Sequence, residues 1–82
     1  MEYKQKYSEA DVKALIDSVK GLAYEGRLDI GGGQVLINAK ESVANLVAQV
    51  EPHIGNVCYS GMIHKLSVIR DKLVEQGYLP ST

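Results

Sequence analysis

The 82-residue chain reads as a mainly α, compact three-helix domain with a short extended segment or β-hairpin between helix one and helix two. Three apolar stripes at helical spacing carry that reading. Val12, Leu15, Ile16, Val19, Leu22 and Ala23 form the first, and Val43, Leu46, Val47, Val50 and Ile54 the second. Tyr59, Met62, Ile63, Leu66, Ile69, Leu73 and Val74 form the third. Apolar residues at i, i+3, i+4 and i+7 turn one face of each helix toward a common core. The second observation is a break in period after the first stripe, where Leu28, Ile30, three glycines and Val35-Leu36-Ile37 follow in an extended pattern.

Residues 1–7 are polar and are expected to dock loosely, as are residues 80–82. Ser8-Glu9-Ala10-Asp11 reads as a helix start, with Ser8 as N-cap and acids in the first turn to suit the dipole. Helix one is expected to run to about Ala23, with Gly21 on its polar face and Tyr24-Glu25-Gly26 ending it. From Leu28 to Ile37 two readings compete. One is a pair of short strands joined by a glycine loop. The other is an irregular crossing that uses Val35 and Ile37 as plugs for the helical core. Asn38-Ala39-Lys40-Glu41 is a second helix start, an N-cap Asn with Glu three residues on. That helix continues to Glu51, where Pro52 ends or kinks it because the ring has no N–H to donate to Ala48. His53-Ile54-Gly55-Asn56 forms the turn, and the third helix occupies roughly 58–76. Gly77 is a left-handed C′ residue, with Leu79-Pro80 confirming the stop.

Length and composition narrow the class. A chain this short buries only about two-thirds of the surface its unfolded form exposes. With no Trp and no Phe the core must be aliphatic, and a small aliphatic fold gains by self-association. A net charge of −1 argues against a dominant electrostatic partner such as nucleic acid or an anionic membrane. The single Cys58 excludes an intramolecular disulfide. Met1-Glu2-Tyr3-Lys4 begins no signal peptide, and no apolar run approaches the ~20 residues that span a bilayer. The expectation is a soluble, cytoplasmic protein with no membrane contact.

The residues that bear chemistry do not gather into a site. Gly31-Gly32-Gly33 fails as a phosphate cradle, because Gln34-Val35-Leu36-Ile37 follows where a helix start or a Lys-Ser/Thr pair is needed. Leu36 also stands where a dinucleotide loop needs its third glycine. His53, Cys58 and His64 are the soft metal ligands, and their scatter does not suit structural zinc, which favours tight pairs. No catalytic group, metal or cofactor is expected. Arg70 projects along the third stripe, between Leu66, Leu73, Ile63 and Val74, so it must snorkel or be paired. Its expected partner is an acid such as Asp17 or Asp29. Val68 points away from the core, opposite Leu66.

Two function classes follow. The first is a small interaction or accessory module that engages a protein partner or itself, as a homodimer, through its third helix. Tyr59, Met62, Leu66, Ile69 and Leu73 keep the 3–4 alternation of a coiled-coil seam, and Arg70 beside them would meet a partner's carboxylate. Leu66→Asp is then expected to yield monomer. The alternative is a helix-turn-helix DNA-binding protein lacking a complete wing. Tyr59, Ser60, His64 and Lys65 would face the groove, with Lys40, Arg70 and Lys72 near phosphates. The chain ends at Thr82 before a wing hairpin, and Gly55 to Gly77 is long for a compact turn plus helix, so the first class is favoured. The run from Gly55-Asn56 through Tyr59, Leu66, Ile69 and Leu73, preceded by Val35–Ile37 and the helix at Val43–Val50, resembles small uncharacterised bacterial helical domain families. Those families have no assigned activity, so the resemblance implies no functional residue.

Overall fold

The computed structural model describes residues 7–55 and 60–80. In chain order they form α1 (Glu9–Val19), β1 (Leu28–Gly31), β2 (Gln34–Leu36), α2 (Ala39–Val50), a 3-10 turn (Glu51–His53) and α3 (Ser60–Glu75). The three-helix domain with a hairpin between its first two helices is therefore the fold, and of the two readings of the linking segment the hairpin is the one that forms.

Local chemistry sets the helix ends. The Ser8 hydroxyl accepts from the Asp11 amide at 3.1 Å, and the Asn38 side-chain oxygen accepts from the Glu41 amide at 3.0 Å. Each satisfies a donor that the first turn leaves without an intrahelical partner. At the far end of α3, Gly77 takes a φ of +88°. The Gly77 amide donates to Val74 O at 3.1 Å and the Tyr78 amide to Leu73 O at 2.8 Å, the paired bonds of a Schellman stop.

Helix one is shorter than its stripe suggests. It ends at Val19, not Ala23, and Leu22 reaches the core from a turn in which its amide donates to Val19 O at 3.2 Å. Leu22 is buried while Ala23 is exposed. Gly21, a poor helix residue by ~1 kcal/mol relative to Ala, follows the last helical turn and lets the chain leave. The second helix ends one residue before Glu51, where Pro52 tightens the chain into the 3-10 turn. α3 begins at Ser60, and Cys58 and Tyr59 lie outside the described residues.

α3 is the central element: α1, α2 and β1 all pack on it. Its residues Leu66, Ile69 and Leu73 are each 0% exposed, and Ile63 is buried beside them. From α1 come Val12, Leu15, Ile16 and Val19, from α2 Ala39, Val43 and Val50, and from β1 Leu28 and Ile30. No polar or charged residue is buried among the described residues. Because α3 is covered from several sides, its buried arc is wider than one stripe. That is why Val68, expected in solvent, is half-buried on a flank of the helix. Ile54 and Val74 are half-buried as well.

The hairpin places its side chains by parity. β1 and β2 are antiparallel, with Leu28 opposite Leu36, Asp29 opposite Val35 and Gly31 opposite Gln34. Successive strand residues face opposite sides of a sheet, so Leu28 and Ile30 turn to the core with Leu36. Val35 then faces outward, 40% exposed, and Ile37, in the bend past the end of β2, is 69% exposed. They are not core plugs. The base of the hairpin is closed by the Ala39 amide donating to Gly26 O at 3.0 Å.

Candidate functional site

The three glycines serve the hairpin. Gly31, Gly32 and Gly33 have φ of +93°, +62° and +79°. Gly32 and Gly33 form the two-residue connection, which in its favoured twist needs positive φ at both positions. Gly31 sits where the strand register shifts, and the Asp29 carboxylate accepts its amide at 2.9 Å. The turn accounts for all three without a ligand.

The expected helix-three surface is divided by the fold. Leu66, Ile69 and Leu73 are inside, so the apolar rhythm that resembles a coiled-coil seam is the seam of the domain's own core. Met62 and Arg70 are half-buried at its margin, and Tyr59 lies outside the described residues. Of the residues expected to face DNA, His64 and Lys65 are exposed on α3 and Ser60 is half-buried at its start. The Tyr7 hydroxyl lies 3.5 Å from His64 Nδ1. Lys40 pairs with Glu25 at 3.8 Å, Arg70 with Asp71 at 2.9 Å and Lys72 with Glu75 at 3.7 Å. Each cation expected near a phosphate already faces a carboxylate.

Arg70 is not bridged to Asp17 or Asp29. Its Nε meets Asp71, the next residue along the helix, and its side chain keeps 34% exposure. Asp29 is instead committed to the Gly31 amide. A solvated pair of neighbours is worth little, a median of about 0–1 kcal/mol. Arg70→Met should therefore move the urea midpoint by no more than about 0.5 kcal/mol equivalent. A loss several times larger would show that the guanidinium is a buried, structural charge.

His53 is half-buried in the 3-10 turn and His64 is exposed on α3, while Cys58 lies outside the described residues. Among the described residues no group of His, Cys, Asp or Glu is arranged to hold a metal ion. No helix among them is long and apolar enough to cross a membrane.

Three surface features remain. The first is a groove of about 310 Å³ between the end of α1 and α2. Val19, Leu22, Val43 and Val47 give it an apolar lining, Ala44 and Ala48 widen it, and the Lys20–Glu51 pair at 3.9 Å bridges its rim. It holds no converging set of polar groups of the kind that orients a substrate. The second is a stack of Tyr24 on Tyr78, with ring centroids 3.7 Å apart and planes 11° from parallel. The Tyr24 hydroxyl donates to Arg27 O at 3.0 Å, and its ring lies over Gly26, where a Cβ would meet it. The stack ties the exit of α3 to the segment entering β1.

The Tyr78 hydroxyl within hydrogen-bond reach, more than burial or charge, holds the Tyr24 phenol above its usual value of 10.0. The unfolded chain therefore loses this proton first, and the stack's contribution fades as pH rises through the folded value. Tyr78→Phe should lower the Tyr24 titration midpoint, followed by the ¹³Cζ shift. An unchanged midpoint would mean the two hydroxyls do not interact.

The third feature is the outside of the hairpin, where Val35 on β2 and Ile37 in the bend that follows it are both exposed. Sequence spacing alone does not single them out. The available signal is the Gly32-Gly33 turn: once its length is known, parity sends Leu36 inward and Val35 outward.

Comparisons with models of protein families, with curated proteins and with solved structures give no match to this chain.

Proposed function

We propose that this domain is a small protein-interaction module that presents its hairpin to a protein partner and performs no chemistry of its own. One observation carries the reading: Val35 on β2 and Ile37 in the bend just after it, 40% and 69% exposed, are apolar residues on the outside of a hairpin whose inner side packs on the core. Isolated exposed apolar residues are ordinary, and two near neighbours in sequence on the outside of the hairpin offer a small apolar surface for a contact. The third helix supports this role from within, because its seam residues hold the hairpin in place through β1.

The test is a photo-reactive benzophenone side chain placed at Ile37, with Lys13 on the exposed face of α1 as control. In cells expressing the protein, a discrete cross-linked adduct is expected from position 37 and not from position 13. No adduct from position 37 beyond the control would overturn the reading. DNA binding is the weaker alternative, supported by the exposure of His64 and Lys65. A low-salt titration with mixed-sequence duplex tests it: salt-sensitive amide shifts confined to α3 would favour it.

A further inference from the structure

We infer that the stacked Tyr24 and Tyr78 form an oxidative modification site, at which a peroxide-driven one-electron oxidant joins the two rings by a carbon–carbon bond. The chain has five tyrosines, and among the described residues only these two lie ring against ring. Their centroids are 3.7 Å apart, closer than the roughly 4.5–7 Å usual for aromatic pairs, and their planes are 11° from parallel. The rings therefore overlap almost fully. Their hydroxyls are also within hydrogen-bond reach, so both rings point the same way. Each Cε carbon, next to the phenolic carbon, then lies over its counterpart on the other ring. The backbone holds both residues in place. Tyr24 packs against the core, its hydroxyl donates to Arg27 O at 3.0 Å, and the Ala39 amide fastens Gly26 O at 3.0 Å. Gly26 leaves the space that the Tyr24 ring occupies. Tyr78 follows the Gly77 stop, its amide donates to Leu73 O at 2.8 Å, and Leu79 packs against the core after it.

Fixed contact of this kind selects the chemistry. Each phenol loses one electron and its hydroxyl proton to give a tyrosyl radical, whose unpaired spin is shared with the Cε carbons. Two such carbons held in contact bond to each other. The hydrogen on each then moves as a proton to its phenolic oxygen, which restores both rings. Two phenols thus give one biphenol, two electrons and two protons. Hydrogen peroxide, acting through a haem peroxidase, takes up both electrons and both protons and leaves as two waters. Tyr78, 39% exposed, is open to an oxidant and has room to tilt as the new bond draws one edge of each ring together. Contact between the two radicals makes their coupling effectively unimolecular, which favours the internal link over links between chains. The product is a covalent staple, resistant to thiols, from the exit of α3 to the segment that enters β1.

Treatment of the full chain, at low micromolar concentration, with a haem peroxidase and hydrogen peroxide tests this. The product is expected to gain dityrosine fluorescence and, after thiol reduction, to remain a 9.0 kDa chain lighter by two hydrogen atoms. Oxidation of Met62 or Cys58 adds oxygen or is undone by thiol, so the mass separates these events. Trypsin should then release residues 21–27 joined to residues 73–82, each with a single tyrosine. Tyr78→Phe should lower the yield of the internal link at least about tenfold, as should urea, which disperses the stack. Tyr7→Phe should leave the yield unchanged, and thermal melts of both variants establish that they fold. No internal link between these two peptides, or an internal link whose yield persists in Tyr78→Phe or in urea, overturns the inference.

Discussion

Leu66→Ala should destabilise the domain by about 2–5 kcal/mol, the range for removing a fully buried leucine and leaving part of its volume empty. Leu66 is 0% exposed at the middle of α3, the helix on which α1, α2 and β1 all pack, so its neighbours come from several elements at once. A domain of this length holds about 4–12 kcal/mol in total. The loss should lower the melting temperature by more than about 10 °C. Leu66→Asp goes further, since a carboxylate there has no partner and no water. The expected result is an unfolded chain and not a folded monomer, which is why that substitution cannot report on self-association. A Leu66→Ala protein that melts within a few degrees of wild type would place this side chain at the surface.

Leu28→Ala should cost a similar amount, about 2–5 kcal/mol, while Ile37→Ala in the same hairpin should stay within about 0.5 kcal/mol of wild type. The residues are similar in size and both belong to the hairpin segment. What separates them is the face on which each falls. Leu28 is 0% exposed opposite half-buried Leu36, and Ile37 is 69% exposed. Two short strands are marginal alone and persist only by lying on a helix. Leu28 supplies that attachment, with Ile30 beside it. Urea unfolding of the two variants measures the contrast directly, and equal losses would mean that the strand register is wrong.

Much of this architecture is written locally. Ser8 and Asn38 announce their helices through side chains that have only a few nearby donors to satisfy, and Gly77 announces a stop that few other residues make without strain. The errors fall where spacing and geometry part company. Leu22 and Ala23 keep helical spacing after the helix has ended, yet one returns to the core through a turn and the other does not. Arg70 projects onto the stripe of an ideal helix, but its long stem carries the guanidinium to the margin, where Asp71 is the nearest acid. The candidate surface was harder to read than the core. Val35, Leu36 and Ile37 are consecutive apolar residues, and which of them faces out depends on a turn length and a register shift that composition does not reveal.

The central claim is that the aliphatic seam of α3 is the inside of this domain and that the outer face of the hairpin is its exposed apolar surface. Methyl NMR of the dilute, monomeric protein in the presence of a soluble gadolinium chelate measures this most directly. Methyl signals of Leu66, Ile69 and Leu73 should hold their intensity while those of Val35 and Ile37 broaden early in the titration. Broadening of the α3 methyls as early as that of Ile37 would contradict the account and return the third helix to the surface.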